Sequence, residues 1–193
     1  MESEIRRGVL HTSENKLIAN VVGVAVLGKT KNESSEKKSE KGKPKMKIMF
    51  ICTGNICRSA MAHAMLEKIA KEQNKNVQTY SCGIYAENGD IPTNEAIETM
   101  NEYGINLRNH RATNIRSSNI KDMDVILCAT TSHKNSVINM YPELKEKVFT
   151  IKEYAGYPQN DLDIKDPWGY GIEVYKNCAK EIQECLDRII EKL

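Results

Sequence analysis

The chain has almost no charge of one sign to spare. Its 28 lysines and arginines are matched by 26 aspartates and glutamates, a net charge of +2 over 193 residues. That balance argues against a nucleic-acid-binding protein, which needs a basic excess. Long apolar runs are missing too. The most apolar stretch, from Leu17 to Gly28, is twelve residues long and broken by Asn20 and Gly23. A bilayer span needs about 20 apolar residues, so no membrane role is expected. Aromatic residues make up only 6%. Cysteine is not scarce, but the six present (Cys52, Cys57, Cys82, Cys128, Cys178 and Cys185) follow no close-packed spacing. No small-residue cleavage site follows the mildly basic Arg6-Arg7 start. The expectation is a reducing, cytoplasmic setting.

Residues 29–45 lack apolar side chains and hold seven lysines and three glutamates. Such a composition cannot bury enough surface to offset the entropy of ordering it. The sequence therefore predicts a disordered or weakly structured N-terminal extension over 1–45, followed by one domain over 46–193.

What is present from Met46 onward is an alternation of strand-like and helix-like segments. Residues 46–51 read as a buried strand and 59–73 as a helix with Ala62, Leu66, Ile69 and Ala70 on its apolar stripe. Residues 77–81 read as a second strand ended by Gly83, and 93–103 as a helix stopped at Gly104. A third strand is expected over 124–128, a helix near 132–140 and a short fourth strand over 147–150. A long loop over 154–169 precedes a last helix from about 171 to 192. Val174, Cys178, Ile182, Cys185 and Ile189 form the apolar face of that helix. Strands alternating with helices imply an α/β fold, a parallel sheet with helices on both faces, whose ligands sit at the carboxyl ends of the strands.

Cys52-Thr53-Gly54-Asn55-Ile56-Cys57-Arg58-Ser59 lies at such an end, between the first strand and the first helix. Loop amides and a helix N-terminus together form a cradle for a tetrahedral anion, and the same field favours a thiolate at Cys52. Cys52 can serve as a nucleophile that carries a thiophosphate. The fork of Arg58 can bind two phosphoryl oxygens at once, which an ammonium cannot. Gly54 leaves room for a tight loop, and Asn55 tolerates a left-handed conformation. The Ser59 hydroxyl is placed to reach Cys52.

The other readings of this stretch are weaker. A zinc site would need a second Cys/His pair at ligand spacing, and none is found. A purely structural Cys52 does not explain the Gly, Asn and Arg that follow. Cys57 is either a core residue or a partner for a reversible disulfide with Cys52. The missing general acid is Asp166, in Asp163-Ile164-Lys165-Asp166-Pro167-Trp168-Gly169. On a long loop it can donate to a leaving oxygen, with Trp168 walling the pocket. Alone, an Asp-Pro in a loop is ordinary turn chemistry.

Together, Cys52…Arg58-Ser59 and Asp166-Pro167-Trp168 resemble the low-molecular-weight protein tyrosine phosphatase family, bacterial type, over about 46–193. The resemblance implies a three-layer α/β sandwich with a four-stranded parallel sheet. It also implies two-step, metal-free hydrolysis of a phosphorylated protein substrate without a cofactor, by a monomer or weak dimer. Cys52 would be the nucleophile, Arg58 the clamp and Asp166 the acid and then the base. Thr53, Gly54, Asn55, Ile56, Cys57, Ser59 and Trp168 would surround the phosphate. Asn55, Ser59, Ser81 and His110 would form the hydrogen-bond network under the loop, although His110 alone reads as a helix-cap or surface residue.

The chain departs from the family pattern at Ala60, where a proline is usual, and at His63, where an acidic residue is common. The aromatic usual after the second strand reads as absent from Ile84-Tyr85-Ala86-Glu87-Asn88-Gly89. That loop, residues 147–154 and residues 171–176 look closer to the protein arginine phosphatase subgroup. The subgroup typically has threonine where this chain has Ile56. An apolar Ile56 suits a phenyl ring better than a phosphoguanidinium, which points to phosphotyrosine, with phosphoarginine as the alternative. Arsenate reduction would need two further redox cysteines close together, and residues 105–135 offer only Cys128. A binding module with a dead site would have lost Cys52, Arg58 or Asp166, and all three are present.

Overall fold

The computed structural model describes residues 45–193. Nearly all of the extension expected over 1–45 lies outside the described residues. Four strands, β1 (Met46–Cys52), β2 (Val77–Gly83), β3 (Val125–Cys128) and β4 (Val148–Thr150), form one sheet in the order β2-β1-β3-β4. Every pairing is parallel. β1 is therefore interior, and its Ile48, Met49, Phe50 and Ile51 are all but sealed from solvent. Its side chains alternate between two cores, as the two-residue period of a strand requires. Ile48 and Phe50 join one cluster, while Met49 and Ile51 join the other.

The first cluster is covered by α1 (Arg58–Glu72), α2 (Asn94–Glu102), α4 (Ile151–Ala155) and α5 (Ile172–Ile190). On the second face lie Val137 of α3 (Thr131–Met140) and residues of the short 3₁₀ turns, among them Ile115, Ile120 and Leu144. The architecture is the three-layer α/β sandwich with a four-stranded parallel sheet that the pattern implied. The chain runs outward from β1 to β2, then crosses to β3 on β1's other side. The carboxyl end of β1 is thus the point where strand order reverses, the usual place for a ligand in an open α/β sheet.

Two expectations are corrected. On α5 the buried residue of the first turn is Tyr175, at 1% exposure, whereas Val174 is 37% exposed. The inward stripe runs Tyr175, Cys178, Ile182, Cys185, Ile189, and Val174 lies outside its arc. The region expected as loop from 154 is preceded by a helix already begun at Ile151. Thr150 and Glu153 make a reciprocal capping box, and Gly156 closes the turn at φ 84°. The Thr-x-x-Glu spacing carries that signal in the sequence.

Candidate active site

Cys52 ends β1 and Cys57 is the N-cap of α1, so residues 53–57 form the whole turn between strand and helix. Asn55 takes φ 56°, the left-handed value that bends a loop around an anion. The amides of residues 54–57 donate to no acceptor among the described residues. The α1 N-terminus has no side-chain cap and no acidic residue in its first turn. Helix ends of this kind leave unsatisfied N–H donors and a positive field.

The loop is held from beneath. Asn55 is fully buried, and its side-chain Nδ2 donates to Ser59 Oγ at 2.8 Å, while its Oδ1 accepts from the Thr113 amide at 2.9 Å. Its backbone carbonyl accepts from His110 Nε2 at 2.8 Å, which places the proton of that imidazole on Nε2. Burial pushes the His110 pKa down, and the Asn55 carbonyl partly offsets this. Ser59 Oγ, with the Asn55 amide as donor, lies 3.0 Å from Cys52 Sγ and can give its own proton to that sulfur. Asn55 and Ser59 were expected around the phosphate. Their side chains lie under the loop instead and do not line the pocket.

Ser81 also differs from expectation. Its hydroxyl meets His63 Nδ1 at 3.2 Å, and the His63 ring packs edge-on against His110 with centroids 6.3 Å apart. Ser81 therefore supports the loop only through two histidines. Burial, and then His110, lower the His63 pKa to about 4, so the pair stacks as neutral rings. The family's acidic position is filled here by a side chain that joins the network.

Close approach of backbones makes Gly83, at the end of β2, indispensable. A Cβ there would lie 2.6 Å from the Thr53 carbonyl oxygen and 2.8 Å from the Asn55 nitrogen. At Gly54 a Cβ would meet only the Ile56 side chain, at an ordinary 3.6 Å. The steric need read at Gly54 thus belongs to Gly83, 29 residues away in sequence.

Arg58 is 3% exposed. Its Nη1 donates to the Ile164 carbonyl at 3.2 Å, and its Nη2 donates to Asp166 Oδ2 at 2.6 Å and to Thr53 Oγ1 at 3.5 Å. Its Nε–H is buried with no partner among the described residues. Asp166, whose side chain is half exposed, lies on a loop pinned to the end of β3. The Ile164 amide donates to the Ala129 carbonyl and the Thr131 amide to Asp163 Oδ1, at 2.9 and 2.7 Å. Lys152, buried in α4, anchors the same segment from behind through Asp161 and Glu181, each at 2.6 Å.

Cys57 Sγ lies 3.3 Å from the Tyr175 hydroxyl, and burial raises its pKa. It is part of the core under α1 while also touching the pocket. The pocket has a volume of about 340 Å³. Cys52, Thr53, Gly54, Ile56, Cys57, Arg58, Asp166 and Trp168 line it as expected, so residues over a hundred positions apart meet in one cavity. Tyr85, Glu87 and Asp90 complete the wall and were missed. The aromatic read as absent is Tyr85, 76% exposed, which lines the pocket together with Trp168, itself 65% exposed.

His133 was missed as well. Its Nε2 is 2.9 Å from Thr53 Oγ1 and its Nδ1 2.7 Å from Thr130 Oγ1. Burial and then the Arg58 charge bring its pKa down to about 4. A neutral imidazole thus ties the mouth of the loop to the N-cap of α3.

Residues 47–193 match the family model for low molecular weight phosphotyrosine protein phosphatase. A protein-arginine-phosphatase of Geobacillus stearothermophilus is 37% identical over 147 residues, 76% of this chain and 95% of that protein. The crystal structure of a low molecular weight protein tyrosine phosphatase from T. tengcongensis superposes with a TM-score of 0.72 at 40% identity, covering 77% of this chain and 99% of that one. A structure of the YwlE arginine phosphatase, mutated from cysteine to serine and phosphorylated on the active-site serine, superposes with a TM-score of 0.72 at 33% identity. It covers 77% of this chain and 95% of its own.

Proposed function

Because the chain belongs to the low molecular weight phosphotyrosine protein phosphatase family, we propose that it hydrolyses phosphotyrosine in protein substrates through a phosphocysteine at Cys52. The observation that carries this is a set of unsatisfied donors in the loop that lines one pocket with Cys52. The amides of residues 54–57 and the Arg58 Nε–H have no acceptor among the described residues, α1 has no side-chain cap, and Gly54, Ile56, Cys57 and Arg58 line the pocket together with Cys52. Donors already aimed at a developing charge need no reorganisation during reaction.

In the first step Cys52 Sγ attacks phosphorus in line, and the S–P bond forms as the bond to the tyrosine oxygen breaks. The Asp166 carboxyl gives its proton to that oxygen. The phosphoryl oxygens are held by the loop amides and Arg58. In the second step Asp166, now a carboxylate, takes a proton from water. The water oxygen attacks phosphorus, and the thiolate leaves with the Ser59 hydroxyl donating to it.

The related YwlE structure, whose active-site serine carries a phosphoryl group, supports a covalent intermediate at the corresponding nucleophile. On this reading the catalytic domain is 46–193, acting in a cytoplasmic setting as a monomer or weak dimer. Among the described residues no helix is long and apolar enough to cross a membrane.

Ile56, Tyr85 and Trp168 give the mouth apolar walls suited to a phenyl ring. A second reading, phosphoarginine, is favoured by the 37% identity to an arginine phosphatase and by the Glu87 and Asp90 carboxylates at the same mouth. The reaction is tested by hydrolysis of an aryl phosphate in the presence of a chelator, with intact-mass detection of phosphate on the protein after rapid quench. Activity surviving Cys52→Ser would remove the mechanism.

A further inference from the structure

Beside the catalytic pocket lies a second, larger groove of about 530 Å³. Tyr85 and Glu87 line both cavities, so a single wall separates them. The floor of the groove is a built surface. The Asn114 amide donates to Asn88 Oδ1 at 2.7 Å, and Asn114 Nδ2 donates to the Ala86 carbonyl at 2.8 Å. Asn88 Nδ2 donates to Ser117 Oγ at 3.1 Å, and backbone bonds between Gly89 and Ala112 and between Ala112 and Asp90 close the sheet-like seam. The floor's own polar groups are therefore spent on one another. Several side chains of the lining are not, Glu87 and Tyr85 of the shared wall among them. Arg116 is exposed and has no ion-pair partner among the described residues, and the Asn139 side-chain amide makes no hydrogen bond among them. Met140 adds an apolar surface to the lining.

We propose that this groove binds the substrate polypeptide beside its phosphorylated residue, and that Arg116 selects an acidic side chain there. The inference rests on the catalytic reading above only for where the phosphate sits. An extended chain advances roughly 3.3 Å per residue. A chain leaving the pocket over Tyr85 therefore enters the groove with residues close in sequence to the phosphorylated one. A guanidinium there pairs with a carboxylate in a fork. Asn139 is free to bond a peptide group. Glu87, in the shared wall, repels an acid placed immediately next to the phosphorylated residue, so the groove reads position as well as charge.

The test uses the full chain and phosphotyrosine peptides with alanine, glutamate or lysine at the second and third positions on each side. Dissociation constants are measured on Cys52→Ser protein, and kcat/KM on the active enzyme. On one side of the phosphotyrosine, glutamate raises affinity and kcat/KM by about 3-fold over alanine, acting through KM, and lysine lowers both. Arg116→Glu inverts that order and leaves the hydrolysis of an aryl phosphate, which does not reach the groove, unchanged. Equal binding of all the peptides, or an unaltered order in Arg116→Glu, overturns the proposal. Failure of the aryl phosphate reaction in the unmutated enzyme would instead strike the catalytic reading. The peptide dissociation constants decide the groove in either case.

Discussion

Arg58 Nη2 donates to Asp166 Oδ2 at 2.6 Å, so the proposed phosphate clamp and the proposed general acid are paired before substrate arrives. A phosphate dianion entering the pocket competes with that carboxylate for the guanidinium. Once displaced, Asp166 takes up a proton from solvent and is free to turn to the leaving oxygen as the acid, and its half-exposed loop position allows the move. Two effects of Asp166→Asn therefore run in opposite directions. Turnover slows most on poor leaving groups, by about 10²–10⁴-fold, while inorganic phosphate binds more tightly because its competitor has lost its charge. Inhibition constants for phosphate, set beside rates across a leaving-group series, check both. Weaker phosphate binding in Asp166→Asn would show that the pair supports the anion site and does not compete with it.

Gly83→Ala should disable the loop without touching substrate. The new methyl would meet backbone at 2.6 and 2.8 Å, which no side-chain rotation relieves. The expected cost is about 1–3 kcal/mol, read as a lower melting temperature, together with a fall in kcat as Thr53 and Asn55 are displaced. Gly54→Ala, with room for its methyl against Ile56, should lose much less stability.

The chain Asn55 Nδ2 to Ser59 Oγ to Cys52 Sγ predicts a graded result. Ser59→Ala removes the donor to sulfur. A hydrogen bond to a charged group is worth about 1.5–3 kcal/mol, so kcat should drop about 10- to 100-fold, with KM little changed. Breakdown of the phosphocysteine should slow most, since that step releases the thiolate. Burst kinetics with an activated aryl phosphate would reveal a larger burst relative to the steady rate.

Stability should depend on the buried histidines that the fold keeps neutral, His63 and His133 most of all. His63 and His133 have pKa values lowered from the ordinary 6.5 to about 4, burial being the leading cause in both. Between those values the unfolded chain binds more protons than the folded one, so stability falls as pH drops from about 6.5 towards 4. Melting temperatures across pH 4–8 measure this. His133→Gln should make the acid limb shallower, and it should also lower activity by loosening Thr53.

The fold was legible because its period was. β1 from Ile48 to Cys52 and β3 are uninterrupted apolar runs, as strands buried on both faces must be, and α5 keeps its stripe from Cys178 to Ile189. The ends were less so. Val174 and Tyr175 are neighbours, and only packing decides which turns inward. At the site, Cys52 to Ser59 are contiguous, so the proposed nucleophile and clamp stand together in one stretch of sequence. What stayed hidden was non-local. His133 meets Thr53 across 80 positions, and Gly83 is required by a loop that ended 26 residues earlier. Tyr85 sits in a loop whose pattern did not show which side chain faces the pocket. Nothing in the local composition around these residues differs from ordinary turn or helix sequence.

Substrate choice is the centre of the account, and it turns on Ile56 at the pocket wall. The direct measurement is kcat/KM for one peptide sequence carrying either phosphotyrosine or phosphoarginine, in the unmutated protein and in Ile56→Thr. The account predicts that the unmutated protein favours phosphotyrosine by about tenfold or more, since one buried apolar contact is worth about 1–3 kcal/mol, and that Ile56→Thr moves the ratio towards phosphoarginine. A preference for phosphoarginine in the unmutated protein would contradict it.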